Sequence, residues 1–285
     1  MKTTKINSTF KFFIFFFIIG LIILFSCQTK SNQSNNISIF TSVEPIKFLI
    51  DNITGGDIYV DTLVKPGVDP HTFEISAKQL ADIVKSKAYF SIDFPFEITL
   101  TEKIKKQNKN FKIYKLYINE DQVEDAHVWL SISKIKDITE KILQSLVELY
   151  PDKKDIFQEN YNILLNKLDQ IDEAIRFNIE NSGFKAFLIF HPALTYFAQD
   201  YGLTQIAIEH EGKIPTGQHL AEIDKEIKVN KISFILVQPE FPVEQISQFI
   251  KDNNLKVYSV NLLNYNVLDT LLKISEIFIQ NKVER

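Results

Sequence analysis

The sequence predicts an α/β protein in which two lobes with mainly parallel sheets are joined by one long rigid helix. Apolar runs of strand length alternate with amphipathic helical stretches through residues 37–150 and again through residues 183–285. The segment between them, residues 151–182, is dominated by a helical pattern with no internal break. Alternating strands and helices are typical of parallel sheets, because each crossover between parallel strands needs a connection of helix length.

The first lobe shows strands and helices separated by turn residues. Gly55-Gly56 close the first helix, Pro66-Gly67 break the second strand, and Ser76 is placed to cap the second helix. The predicted strands are 37–41, 58–64, 88–92 and 111–116, and the predicted helices are 44–53, 76–85, 95–107 and 133–149.

The linking helix follows Pro151 and has neither glycine nor proline from residue 153 to residue 181. Its apolar residues recur every three or four positions, which predicts one apolar stripe along a helix of roughly 45 Å. A helix of that length either crosses between two lobes or forms a coiled coil. The sheet-like sequence on both sides favours a bridge, which ends at Gly183.

The second lobe resumes the alternation, with Gly202 just beyond its first helix. The predicted strands are 186–190, 205–208, 232–237 and 257–260, and the predicted helices are 193–201, 219–229, 242–253 and 265–280.

The amino terminus has the pattern of a bacterial lipoprotein signal peptide, predicted over residues 1–26. A basic start is followed by an apolar run from Phe12 to Phe25, then by Ser26 and Cys27, the single cysteine of the chain. We expect Cys27 to carry a diacylglycerol and residues 27–36 to form a flexible tether. The protein would then be exported and lipid-anchored to the bilayer, on the periplasmic or cell-surface side. The alternative is an uncleaved anchor helix.

The charge balance limits the partners. The formal net charge is −4, and residues 1–26 carry three lysines and no acidic residue, so the rest of the chain is more acidic still. Without a basic stripe, nucleic acid is not an expected partner. A lone cysteine also excludes internal disulfides.

Three of the five histidines, His71, His127 and His191, follow or lie within apolar, strand-like runs. The carboxyl ends of parallel strands converge on one crevice, so these side chains can meet there. Three imidazoles are the ligand set of a tetrahedral transition-metal site with one position left over. Each histidine taken alone has an ordinary alternative, a solvated loop residue or a packed ring. His210 and His219 lie in polar surroundings, and we expect both to be solvated.

Other chemistries lack their residues. There is no glycine-flanked serine elbow, no phosphate-cradling glycine loop and no His-Glu-x-x-His pair. A hydrolytic metal site needs a general base, for which Glu74 and Glu97 are the nearest candidates. Ligands donated by separate strand ends suit a binding cleft better than these alternatives.

These segments resemble a known family, the metal-binding substrate proteins of ABC transporters for zinc and manganese (the cluster A-I group). The resemblance covers essentially the whole chain after the signal peptide and is carried by residues 64–74, 77–83, 125–130, 190–198 and 211–216. It implies two α/β lobes, a metal cargo and a permease in the membrane. It also places Asn261 at the fourth ligand position, where the family commonly has an acidic residue; the alternatives at that position are water, Glu74 or Glu97. The histidine-rich loop of some zinc-specific members is absent.

The expected function is therefore extracytoplasmic capture of a divalent transition metal for uptake, by a monomer that is not an enzyme. Zinc is favoured over manganese because three imidazoles suit zinc, whereas manganese prefers more oxygen ligands. Manganese-binding relatives typically have a glutamate where His191 stands. Two alternatives stay open: a zinc-dependent hydrolase that uses the same histidines, and a surface adhesion lipoprotein whose metal site has decayed.

Overall fold

The computed structural model describes residues 39–118, 125–209, 215–241 and 243–283. The predicted signal peptide, Cys27 and the tether lie outside the described residues. The described residues fall within one compact unit, so the lobe limits assigned at residues 150 and 183 stay a prediction. In the described part of the chain, no helix has both the length and the apolar composition needed to cross a bilayer.

The first sheet has four parallel strands in the order β2-β1-β3-β4. The strands are β1 (Ile39–Thr41), β2 (Val60–Thr62), β3 (Ala88–Ser91) and β4 (Lys112–Lys115), and the helices are α1 (Glu44–Thr54), α2 (Ala77–Lys85), α3 (Pro95–Gln107) and α4 (Ile132–Leu149). Every residue of the central strands β1 and β3 is buried, as expected for a parallel sheet covered on both faces. Strand β2 is shorter than predicted because it is an edge strand that pairs only with the three residues of β1.

The linking helix α5 (Lys154–Ser182) has 29 residues and is about 44 Å long. It packs against α1 and α4 of the first lobe and against the last helix of the chain. Gly183 ends it with a φ of +80°, a left-handed conformation that favours glycine. The helix therefore contacts both lobes, as the bridge interpretation predicts.

The second sheet repeats the topology of the first, with the order β6-β5-β7-β8 and all strands parallel. The strands are β5 (Ala186–Ile189), β6 (Thr204–Ala207), β7 (Phe234–Val237) and β8 (Lys256–Ser259), and the helices are α6 (Thr195–Tyr201), α7 (Gly217–Asn230), α8 (Ser247–Asp252) and α9 (Val267–Gln280). Two parallel four-stranded sheets and a long linking helix confirm the predicted fold class.

The hydrophobic core is continuous between the lobes. One buried cluster runs from the first sheet across α4 and α5 to the second sheet, and it includes Trp129, Phe157, Leu168 and Phe187. The indole Nε1–H of the fully buried Trp129 donates to the carbonyl oxygen of Leu262 at 3.0 Å. The first lobe is thereby joined to the loop that follows β8.

Candidate metal site

His71 lies in the loop between β2 and α2. The backbone N–H of His71 donates to Oδ1 of Asp69 at 2.8 Å, and the backbone N–H of Thr72 donates to the carbonyl oxygen of Asp69 at 3.3 Å. Asp69 thus closes a tight turn of the kind that short carboxylate side chains stabilise. This turn directs the His71 side chain while the residue itself stays exposed at the mouth of the site.

His127 lies just before a short 3₁₀ turn, Val128–Leu130, and is buried. Its Nδ1 lies 2.7 Å from Oδ1 of Asp125, which also accepts the His127 backbone N–H at 2.8 Å. Burial alone raises the pKa of Asp125, but the hydrogen bonds from His127 and Thr195 outweigh it and lower that pKa to about 2. An ionised Asp125 holds the proton on Nδ1, so the lone pair of Nε2 is free for a metal.

His191 comes two residues after β5, at the carboxyl end of the second sheet. Its Nδ1 lies 2.9 Å from Oε2 of Glu209, which follows β6. The Gln238 side chain, just beyond β7, accepts from the His191 backbone N–H at 3.3 Å and donates to its carbonyl oxygen at 2.8 Å. The Phe241 ring stacks on the imidazole with 4.7 Å between centroids. Three neighbouring strand ends therefore fix one histidine.

The three imidazoles converge. Nε2 of His71 lies 3.4 Å from Nε2 of His127 and 3.1 Å from Nε2 of His191, and the potential ligand nitrogens of all three lie within 4.8 Å of one another. A tetrahedral zinc ion with Zn–N bonds of about 2.0–2.1 Å keeps its ligand nitrogens about 3.4 Å apart. Among the described residues, no other group of three histidine, cysteine, aspartate or glutamate side chains is placed to hold a metal.

Aromatic side chains enclose the first-lobe half of this cluster. The ring of Phe94 lies 5.2 Å from that of His71 and 6.0 Å from that of His127, and the Trp129 ring lies 5.2 Å from that of His127. Partial burial, with repulsion from the other two imidazoles, lowers the pKa of His71 from 6.5 to about 4. His71 is therefore neutral near pH 7, which metal ligation requires.

The carboxylates considered as possible general bases do not reach the cavity that the three histidines line. Glu97 is 1% exposed, and its Oε2 accepts from Ser91 Oγ at 3.1 Å and from the backbone N–H groups of Ile92 at 3.1 Å and Phe94 at 2.7 Å. Glu74 is exposed and is not among the lining residues.

Asn261 is exposed, and its Oδ1 accepts the backbone N–H of Leu263 at 2.9 Å. Leu262 and Leu263 line the cavity, whereas Asn261 does not. The structure thus brings the three histidines together, whereas Asn261 is not among the residues that line their cavity, and its role as a ligand stays a prediction.

Sequence reasoning missed Glu209 and Gln238, the two side chains that orient His191. Both directly follow second-lobe strands, and that placement is the signal that could have identified them. His219 lies on α7 and is half-buried, with its Nε2 shielded from solvent, so the expectation that it is solvated is wrong; His210 lies outside the described residues.

Comparison with known proteins decides the family. Residues 39–273 match the model of ZnuA, described as the periplasmic component A of a zinc-uptake complex. The chain belongs to the ZnuA family. The match covers both lobes, the linking helix and all three clustered histidines. The ZnuA family belongs to ABC-type uptake systems, which include a permease in the membrane.

Individual relatives agree with this membership. The chain is 28% identical over 271 residues to the zinc-binding lipoprotein AdcA of Streptococcus pneumoniae, covering 87% of this chain and 53% of AdcA. It is 25% identical over 280 residues to a putative metal-binding protein of Chlamydia trachomatis, covering 93% of this chain and 98% of that protein. The chain therefore spans about half the length of AdcA and nearly all of the chlamydial protein.

A solved structure in the ZnuA family shares the architecture. A ZnuA deletion mutant crystallised with zinc bound superimposes with a TM-score of 0.80 at 28% identity, covering 87% of this chain and 99% of that one.

Proposed function

We propose that this protein is an extracytoplasmic solute-binding protein that captures one divalent transition metal, zinc in preference to manganese, and delivers it to an ABC permease. The observation that carries the proposal is the convergence of three Nε2 atoms. The Nε2 of His71 lies 3.4 Å from that of His127 and 3.1 Å from that of His191. The zinc-binding name of AdcA and the zinc-bound ZnuA structure support the same cargo.

The donor set favours zinc. Three neutral imidazoles match a borderline ion that accepts nitrogen ligands in a tetrahedron, whereas manganese prefers carboxylate and water oxygens. Two of the imidazoles have ionised or acidic partners behind them, Asp125 for His127 and Glu209 for His191. Such partners orient the rings and make them stronger donors.

The same arrangement supports binding rather than catalysis. Asp125 and Glu209 are engaged with the histidine rings, and Glu97 is engaged in a buried hydrogen-bond network. A metal-dependent hydrolase needs a free carboxylate beside a metal-bound water, and none of these three can serve as one. We therefore propose that the metal is cargo and that the protein is not an enzyme.

Isothermal titration of chelator-treated protein with zinc and with manganese tests the proposal. We expect one zinc per chain with affinity in the submicromolar range or tighter, and weaker binding of manganese. Absence of zinc binding at micromolar concentration would overturn it. Turnover of generic esters or phosphoesters by the zinc-loaded protein, abolished by His191→Ala, would instead establish the hydrolase.

The anchoring proposal has its own test. Cys27 is the acylation site in this account, and it holds a monomeric protein to the outer face of a membrane. Mass spectrometry of protein expressed from the complete gene in a bacterium should show an amino-terminal diacylglyceryl cysteine. The Cys27→Ser variant should carry no lipid. An intact residue 1–26 segment on the wild-type protein would contradict the signal-peptide assignment.

A further inference from the structure

Glu240 lines the cavity beside the three histidines and has no role in the metal site described above. We propose that Glu240 supplies the fourth metal ligand, in place of Asn261. The inference rests on the proposed metal-binding function and extends it by naming the residue that completes the coordination shell. It starts from the position of Glu240, three residues after β7, among the residues that line this cavity.

The loop that carries Glu240 is held against His191 on both sides. Gln238 makes two hydrogen bonds to the His191 backbone, at 3.3 and 2.8 Å. Phe241 stacks on the His191 ring with an interplanar angle of 16°. Glu240 lies between these two contacts in the chain, so its backbone is fixed next to a residue of the metal site.

Two other residues near the site each use one side-chain oxygen to hold their own loop. Asp69 also lines the cavity, but its Oδ1 accepts the His71 backbone N–H and closes the turn. The Asn261 Oδ1 accepts from Leu263. Among the described residues, by contrast, the Glu240 carboxylate has no hydrogen-bond or ion-pair partner, and it is only partly exposed.

The chemistry also favours Glu240. Zinc accepts a carboxylate oxygen at about 2.0–2.2 Å as readily as it accepts imidazole, and a fourth ligand completes the tetrahedron. A carboxylate brings a negative charge to a site whose three imidazoles bring none, whereas the Asn261 amide is uncharged. Because Glu240 is on the same lobe as His191, each lobe then contributes two ligands.

The experiment compares four chelator-treated proteins: wild type, Glu240→Gln, Glu240→Ala and Glu244→Gln. Glu244 lies four residues further on, is exposed and does not line the cavity, so Glu244→Gln makes the same charge change away from the site. Zinc affinity is measured by competition with a chromophoric chelator. The visible spectrum of the Co²⁺-loaded protein then reports directly on the ligands. Glu240→Ala serves as a second variant, and all folds are checked by circular dichroism.

If Glu240 is a ligand, Glu240→Gln weakens zinc binding at least about tenfold, the lower end of what even an outer partner of a metal ligand contributes. The Co²⁺ spectrum changes as well, while Glu244→Gln matches the wild type. Wild-type affinity and spectrum in Glu240→Gln and Glu240→Ala would overturn the inference and leave the three-histidine site standing. Equal weakening in Glu240→Gln and Glu244→Gln with an unchanged spectrum would also overturn it, because the effect would then be electrostatic. A wild-type protein that binds no metal would instead refute the proposed function.

Discussion

Asp125 and Thr195 are joined across the two lobes by a hydrogen bond of 3.0 Å from the Thr195 backbone N–H to Oδ2 of Asp125. Thr195 is the first residue of α6, so the carboxylate satisfies an otherwise unpaired N–H group at a helix start. The other oxygen of the same carboxylate orients His127. One side chain therefore couples the first-lobe metal ligand to the second lobe.

The first prediction concerns Asp125→Asn. The amide of asparagine has one oxygen that accepts and one NH₂ group that donates. In the variant the NH₂ group therefore faces either the His127 ring or the Thr195 N–H, each of which needs an acceptor. We expect a loss of about 1.5–3 kcal/mol in the free energy of unfolding and a loss of about 10- to 100-fold in zinc affinity. Because the folded pKa of Asp125 is lowered to about 2, the stability difference from wild type is present above pH 3.8 and shrinks as pH falls toward 2.

Denaturant unfolding and zinc competition measure both effects. Asp137→Asn, at an exposed position of α4, is the matched control and should leave both quantities at their wild-type values. Wild-type zinc affinity in Asp125→Asn would show that the carboxylate does not support His127.

The second prediction concerns the buried Glu97, which also accepts hydrogen bonds from the hydroxyl groups of Ser42 and Tyr89. Glu97→Ala leaves the N–H groups of Ile92 and Phe94 buried without an acceptor, and should cost about 3 kcal/mol or more of unfolding free energy. Glu97→Gln keeps one acceptor for these groups and can donate to the two hydroxyls, so it should cost less.

The contribution of Glu97 to the free energy of unfolding changes with pH in the opposite direction to that of Asp125. Burial raises the pKa of Glu97, although its hydrogen bonds oppose the shift. Its contribution is therefore fully present below pH 4.5 and is lost as pH rises through the folded pKa. Unfolding free energies at pH 4.5 and pH 8 should show the advantage of wild type over Glu97→Gln shrinking at the higher pH. An advantage that grows with pH would contradict this account.

The third prediction concerns the metal-free site. The folded pKa of His71 is lowered to about 4, so the unfolded chain binds more protons between pH 6.5 and pH 4. Stability of the chelator-treated protein should therefore rise with pH across this window, and His71→Gln should show a shallower rise. A nuclear magnetic resonance titration of the His71 ring should give a midpoint near pH 4. A midpoint near 6.5 would refute the lowered pKa.

The sequence patterns predicted the helices and strands better than they predicted the contacts between them. The linking helix was assigned to residues 151–182 and runs from Lys154 to Ser182, because a 3–4 residue apolar period without glycine or proline is typical of a helix. Helix α6 was predicted to begin at residue 193 but begins at Thr195. Its N-terminal N–H is bonded by Asp125 from the other lobe, a contact that local sequence does not contain.

The same distinction holds for the site. His71, His127 and His191 were identifiable because strand ends converge in any parallel sheet. Glu209 directly follows the predicted strand 205–208 and could have been considered on that ground, but its contact with the His191 ring depends on β6 pairing with β5, which local sequence does not show. Glu240 was not identified either, because its place in the cavity depends on the two hydrogen bonds that hold Gln238 to the His191 backbone.

The most direct measurement of the central claim is the zinc affinity of His191→Ala beside that of His219→Gln. Among the described residues, His191 is the one second-lobe histidine in the three-histidine cluster, whereas His219 lies on α7 outside that cluster. We expect one tightly bound zinc per chain in the wild type and in His219→Gln, and a loss of zinc affinity of at least about 100-fold in His191→Ala, more than an outer partner of a ligand contributes. Equal zinc affinity in His191→Ala and the wild type would contradict the central claim.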